Sequence, residues 1–145
     1  MSPRDLLPDE RHLLDVLLSR PFDGRDELSA QASAVTATGL SCKCGCPSID
    51  LAVDRAVPSA TVRGMVAEGV GLDRNGNRVG VLLWVDDDGY MNGLEVFGFG
   101  DDIRGRPTET FGWPTVESFE LAEWEPWPNG MGRNLKNMPG HATPA

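Results

Sequence analysis

The stretch Val79–Val96, VGVLLWVDDDGYMNGLEV, most constrains what this chain can fold into. Two apolar runs flank Asp86-Asp87-Asp88-Gly89, a pattern that specifies a β-hairpin in the middle of a sheet. Just upstream, residues 62–72 alternate and lead into Asp73-Arg74-Asn75-Gly76-Asn77. Asn-Gly is the signal for a two-residue turn in which both residues take positive φ. Placed at Asn75-Gly76, that turn pairs Leu72 with Val79, Val70 with Val81 and Val66 with Val85. A four-residue loop at Asp86 to Gly89 pairs Val85 with Tyr90, Val81 with Leu94 and Val79 with Val96. Both registers put Val66, Val70, Leu72, Val79, Val81, Leu83, Val85, Leu94 and Val96 on one face, which a one-residue slip would scatter. The expectation is a three-strand meander.

That face needs a cover, and the N-terminus supplies one. Residues 8–20 read as a helix, with Pro8, Asp9 and Glu10 in the first turn, where a missing N–H is harmless and negative charge suits the dipole. Leu13, Leu14, Leu17 and Leu18 form one apolar stripe, and Pro21 ends the helix. Asp23 is placed to cap a shorter helix from Gly24 to about Ala32. Two more strands are expected, a weakly patterned one from Val35 and a cleanly alternating one around Ile49, Leu51 and Val53.

The opposite face of the meander carries Leu82, Trp84, Met91 and Phe97, too apolar to leave wet. Phe111, Trp113, Phe119, Leu121, Trp124 and Trp127 are the candidates to cover it. Thr115 to Trp124 reads equally as a short strand or a helix, and Gly98 to Pro114 as a long loop. The fold class expected is α+β: two N-terminal helices on a mainly antiparallel sheet of about five strands, with the aromatic-rich C-terminal segment on the other face. A single domain should run over residues 1–125, and residues 126–145, rich in breakers, should form a loose tail.

Charge narrows the function classes. The 145 residues carry 13 basic against 22 acidic side chains, a net charge of −9. Residues 86–125 hold 11 acids against Arg104 and Arg106, so that segment carries the whole imbalance. Nucleic-acid binding is disfavoured, because it depends on Lys and Arg neutralising phosphates. A basic protein partner is the complementary expectation. The N-terminus has acids where a leader would be apolar, and no apolar run approaches the ~20 residues of a membrane span. A bacterial, cytoplasmic protein without membrane contact is expected, the first of these from the preponderance of Arg over Lys with abundant Ala and Gly.

Cys42-Lys43-Cys44-Gly45-Cys46 is the one motif with metal-ligand character. Zinc knuckles leave two residues between ligands, whereas here one separates each pair. In an extended chain such sulfurs lie roughly 7 Å apart, and a tetrahedral zinc needs them within roughly 4 Å. Small semi-buried cysteines are the simpler reading, with a structural metal or thiol site at Cys42, Cys44 and Cys46 as the alternative. Asp86, Asp88, Gly89 and Glu95 fall on an EF-hand spacing, but Trp84 stands at its first ligand position. With two histidines and no phosphate-cradling loop, dinucleotide fingerprint or nucleophile elbow, most enzyme classes lose their machinery. A carboxylate-based enzyme is the third reading.

The runs PFDGRDELSAQ and CGCPSIDLAVDR, with the hairpin ending GYMNGLEVFGFG, resemble a set of small bacterial proteins of unknown function across residues 8–100. The resemblance implies the helix, strand-pair and hairpin order and assigns no catalytic or binding residue. From the charge confined to one segment that also carries aromatics, and not from the resemblance, the chain is read as a non-enzymatic, acidic protein-binding module of an immunity-like or regulatory kind, without a cofactor. The residues expected to meet a basic partner are Asp86, Asp87, Asp88, Asp101, Asp102 and Trp113.

Overall fold

In a computed structural model, the protein is described over residues 3–38, 48–102, 111–122, 124–126 and 132–134, with backbone alone at 99–102, 124–126 and 132–134. Two helices, α1 (Pro8–Leu17) and α2 (Arg25–Ala32), precede β1 (Val35–Ala37), β2 (Ile49–Val53), β3 (Gly64–Leu72), β4 (Asn77–Val85), β5 (Met91–Asp102) and β6 (Glu120–Leu121). These six strands form one sheet in the order β1-β2-β5-β4-β3-β6, with antiparallel pairing throughout. β7 (Trp124–Pro126) and β8 (Gly132–Asn134) pair separately beside β3, so the region read as a tail contributes a strand. The α+β expectation holds. No helix among the described residues is long and apolar enough to cross a membrane.

Both turns of the meander use one device. In each, an aspartate begins a four-residue turn that ends on a glycine with positive φ, Asp73 with Gly76 (+83°) and Asp86 with Gly89 (+88°). The glycine N–H donates to the aspartate carbonyl, at 3.0 and 3.1 Å. One carboxylate oxygen, Oδ1, then accepts the N–H groups two and four residues on: Asn75 and Asn77 from Asp73, Asp88 and Tyr90 from Asp86. Side-chain bonds of this kind compete with the ordinary hairpin geometry.

Here they win, and the register moves. Asn75 does not take the positive φ that a two-residue turn demands, because no residue other than glycine does among those described. Leu72 therefore pairs with Arg78, Val70 with Gly80 and Gly69 with Val81, one step from the expected pairing. That step carries Val70 and Leu72 to the opposite face and brings Gly69 and Gly71 onto the face of Val81 and Val79. The second hairpin moves by two, with Val81 opposite Val96 and Leu83 opposite Leu94, so those faces are preserved. An irregularity between Trp84 and Val85 pairs Met91 with Val85 and carries Met91, expected on the opposite face, into the core.

The consequences run through the core. Leu13, Leu14 and Leu17 of α1 and Leu28 of α2 are fully buried in one cluster with Val79, Val81, Leu83, Leu94 and Val96. Opposite β4, the glycine column of β3 leaves a trough, and residues 114–119 fill it. A Cβ on Gly69 would stand 2.1 Å from the Phe119 ring, and one on Gly71 would meet Ser118 and Pro114. Phe111 lies in the same way against Gly98. Phe119 and Trp113 thus pack with the helix-side core, where the shifted register made room, while Phe111, beside Gly98, also lines the cavity that borders Trp84. Within residues 115–122, a turn at 116–118 leads into β6, their only strand.

At α2 the expected cap is missing and a buried glutamine supplies the polar contact instead. Gly24, at φ +87° and pressed against Val62, stands at the start of α2 with no side-chain cap, so Asp23 does not serve as one. Gln31, fully buried, donates to the carbonyls of Gly89 (2.8 Å) and Pro58 (3.2 Å) and accepts the Met91 N–H at 3.0 Å. It ties α2 to the β4–β5 turn. Gly69→Ala should lower unfolding free energy by about 1–3 kcal/mol through overpacking against Phe119. Gly93→Ala, whose Cβ would meet nothing nearer than 3.7 Å, should stay within about 0.5 kcal/mol of the parent. Urea unfolding of the two variants checks both.

Candidate functional site

The residues expected to meet a partner divide between two ends of the sheet. Asp86, Asp87 and Asp88 form the turn after β4, whereas Asp102 pairs with Asn77 at the start of β4. Nine residues of strand, roughly 30 Å at about 3.3 Å per residue, lie between. Asp101 and Asp102 are placed by backbone only. Trp113, half-buried against the core, is at the second end, close to the Asp73 turn.

At the first end, Asp86 is committed to structure. Its Oδ2 meets the Arg55 guanidinium at 2.9 Å, and that guanidinium lies 4.2 Å from the Tyr90 ring centroid. Burial pushes the Asp86 carboxyl up, but the Tyr90 N–H, Arg55 and the Asp88 N–H outweigh it and hold it below the usual range. The Tyr90 hydroxyl donates to the carbonyls of Arg55 and Val57, at 3.1 and 2.8 Å, and so fastens the preceding loop. Asp87 and Asp88 remain exposed.

The second end holds a cleft of about 560 Å³ between the start of α1, the Asp73 turn and residues 112–115. Leu7, Pro8, Trp113 and Pro114 give its apolar wall; Asp9, Glu10, Asp73 and Arg74 give its charges. Leu7, 55% exposed, is the one large apolar side chain left mostly in solvent among the described residues. Glu10 and Asp73, only 3% and 5% exposed, are both saturated. Arg4 forks onto Glu10 with two 2.9 Å bonds, and the Leu7 N–H adds a third at 2.8 Å. Asp73 accepts from Asn75, Asn77 (twice) and Gly112.

For each, burial is the largest single effect and pushes the carboxyl up. The bonds from Arg4 and Leu7 to Glu10, and from Asn77, Gly112 and Asn75 to Asp73, together prevail and hold both below their ordinary values. These are ionised, fully satisfied groups with no proton to give. Sequence reasoning passed over Glu10 and Asp73 as functional neighbours of Trp113, although Glu10 lies three residues after Leu7, a recognised helix-start spacing.

Cys42, Cys44 and Cys46 lie outside the described residues. Among the described residues no cluster of three His, Cys, Asp or Glu side chains is arranged to hold a metal.

Because native Glu10 and Asp73 titrate below their ordinary values of 4.5 and 3.8, their stabilisation is present above those values and is lost as pH falls through the lowered native ones. Stability measured by urea unfolding should therefore fall steeply below pH 4.5. Asp73→Ala should cost about 2–3 kcal/mol at neutral pH, by orphaning the buried donors of the turn, and should make that acid-side loss shallower.

No protein-family model, curated protein or solved structure matches this chain.

Proposed function

We propose that the protein is a non-enzymatic binding module for a basic protein partner, and that the Trp113 cleft seats an apolar side chain of that partner. The observation that carries this reading is the position of Leu7. A solvent-exposed leucine on the same wall as Trp113, Pro8 and Pro114 makes a preformed apolar seat with acids around it. Filling such a seat with a leucine-sized side chain contributes about 1.5–3 kcal/mol. The surplus acids then favour basic partners by steering and by penalising acidic ones.

The state of the carboxylates favours binding over catalysis. General acid–base work by a carboxylate pair needs one member kept protonated near neutral pH. Glu10 and Asp73, the buried pair of the cleft, are both displaced the other way. Their work is to hold α1 and the Asp73 turn in place around the seat.

Selection from a random peptide display library tests the proposal. Enriched sequences should combine an apolar residue with Arg or Lys, and binding should weaken strongly in 1 M salt, where the screening length is about 3 Å. Leu7→Ser, which puts a favoured residue at the helix start and so keeps α1, should weaken binding about tenfold or more, the loss of an apolar contact of this size. Selection that enriches nothing, or binding indifferent to salt and to Leu7→Ser, would contradict it.

A further inference from the structure

We propose that the solvent face of the sheet carries a seat for an arginine side chain of the partner, over Gly93 and between Trp84 and Asp50. The proposal deepens the reading of a basic partner and rests on it, but a separate set of residues supports it.

The strand registers place these groups. Gly93 of β5 pairs with Trp84 of β4 on one side and with Asp50 of β2 on the other. Cross-strand partners share a face, so Asp50, Gly93 and Trp84 form one row on the side away from the helices. Two strand spacings, about 10 Å, separate the outer members of that row. The middle member has no side chain, and a Cβ built there would meet only the Ile49 carbonyl at 3.7 Å and the Trp84 Cβ at 3.9 Å. The row is therefore a notch with an aromatic wall, a backbone floor and a carboxylate opposite.

The wall is held in position. The Trp84 indole N–H donates to Glu95 Oε1 at 2.9 Å, which fixes the ring and brings a second carboxylate to its edge. The surrounding cavity, about 440 Å³, is lined by Asp50, Trp84, Glu95, Phe97 and Phe111 among others, and by no basic residue among those described. Asp50 is exposed, and its carboxylate has no partner among the described residues.

A ring face beside two carboxylates attracts a cation, and tryptophan is the strongest aromatic for that purpose. A planar guanidinium fits better than a compact ammonium: it lies flat on the indole while its fork meets a carboxylate. The protein makes that same arrangement internally where Arg55 lies between Tyr90 and Asp86. The notch offers ring and carboxylate without the arginine.

Nitrogen-15 NMR of the full chain tests this, with blocked tripeptides carrying a central arginine, lysine or citrulline as probes. The arginine peptide should shift the Trp84 indole and Gly93 amide signals saturably at millimolar concentration. Lysine should bind roughly threefold or more weakly, and neutral citrulline should leave both signals in place. Gly93→Val fills the notch where the backbone has room, and should abolish the arginine response while the rest of the spectrum keeps its dispersion. Silence at Trp84 and Gly93, equal responses to arginine and lysine, or a response that survives Gly93→Val would each overturn the proposal. If those signals stay silent while Leu7 and Gly112 respond to a basic peptide, the arginine seat alone falls; if nothing responds, the basic-partner reading falls with it.

Discussion

The aspartate-led turn is the interaction on which this fold depends. A carboxylate that satisfies two backbone N–H groups at once sets the length of each hairpin loop, and loop length sets register. At Asp73 this moves β3 by one residue, and every later feature of that edge follows. Glycines face the core instead of valine and leucine, a trough opens, and Phe119 with Pro114 and Ser118 closes it. Arg20 then donates to the Ala122 carbonyl, and the Thr115 N–H to the Leu72 carbonyl, which fasten the segment to the chain just after α1 and to β3. Residues 111–122 are thus an integral part of the core.

Most of the architecture is legible in the sequence where hydrophobic period decides it. The leucine stripe of α1, the alternation at Ile49, Leu51 and Val53, and the two apolar runs around Asp86–Gly89 each specify one outcome. The register of β3 is not legible in that way, because two turn chemistries share the Asp-Arg-Asn-Gly segment. Asn75-Gly76 alone favours the two-residue turn, and only the three-dimensional capture of Asn75 and Asn77 by Asp73 decides for the longer one. The wrong turn also gave a self-consistent face, since β3 has Val70 and Leu72 on one side and small residues on the other. Internal agreement between registers is weaker support when a strand is apolar on one face and glycine-rich on its other.

The same point applies to the site. Acidic residues look alike in a sequence, yet here they fall into different physical classes. Asp73, Glu10 and Asp86 are spent on backbone amides and arginines, while Asp9, Asp50, Asp87 and Asp88 remain exposed. A charge count over residues 86–125 mixes the two classes, and it joins Asp86–Asp88 to Trp113 although a full strand separates them. What the sequence carries is the surplus charge and the aromatic residues; which acids are free for a partner depends on hydrogen bonds made across the fold. Around the cleft, Glu10 and Asp73 hold buried polar networks that are satisfied only in one arrangement, and Gln31 does the same at the β4–β5 turn.

The shifted register has a direct spectroscopic signature. With Gly69 on the core face, its α-protons lie against the Phe119 ring, whose ring current should move them well upfield and give strong ring-to-α-proton cross-relaxation. In Phe119→Leu the shift should vanish while the strand signals of β4 and β5 persist. Gly69 α-protons at ordinary strand positions, with the Phe119 ring showing contacts to Val70 instead, would return the hairpin to the two-residue Asn-Gly turn and contradict the account.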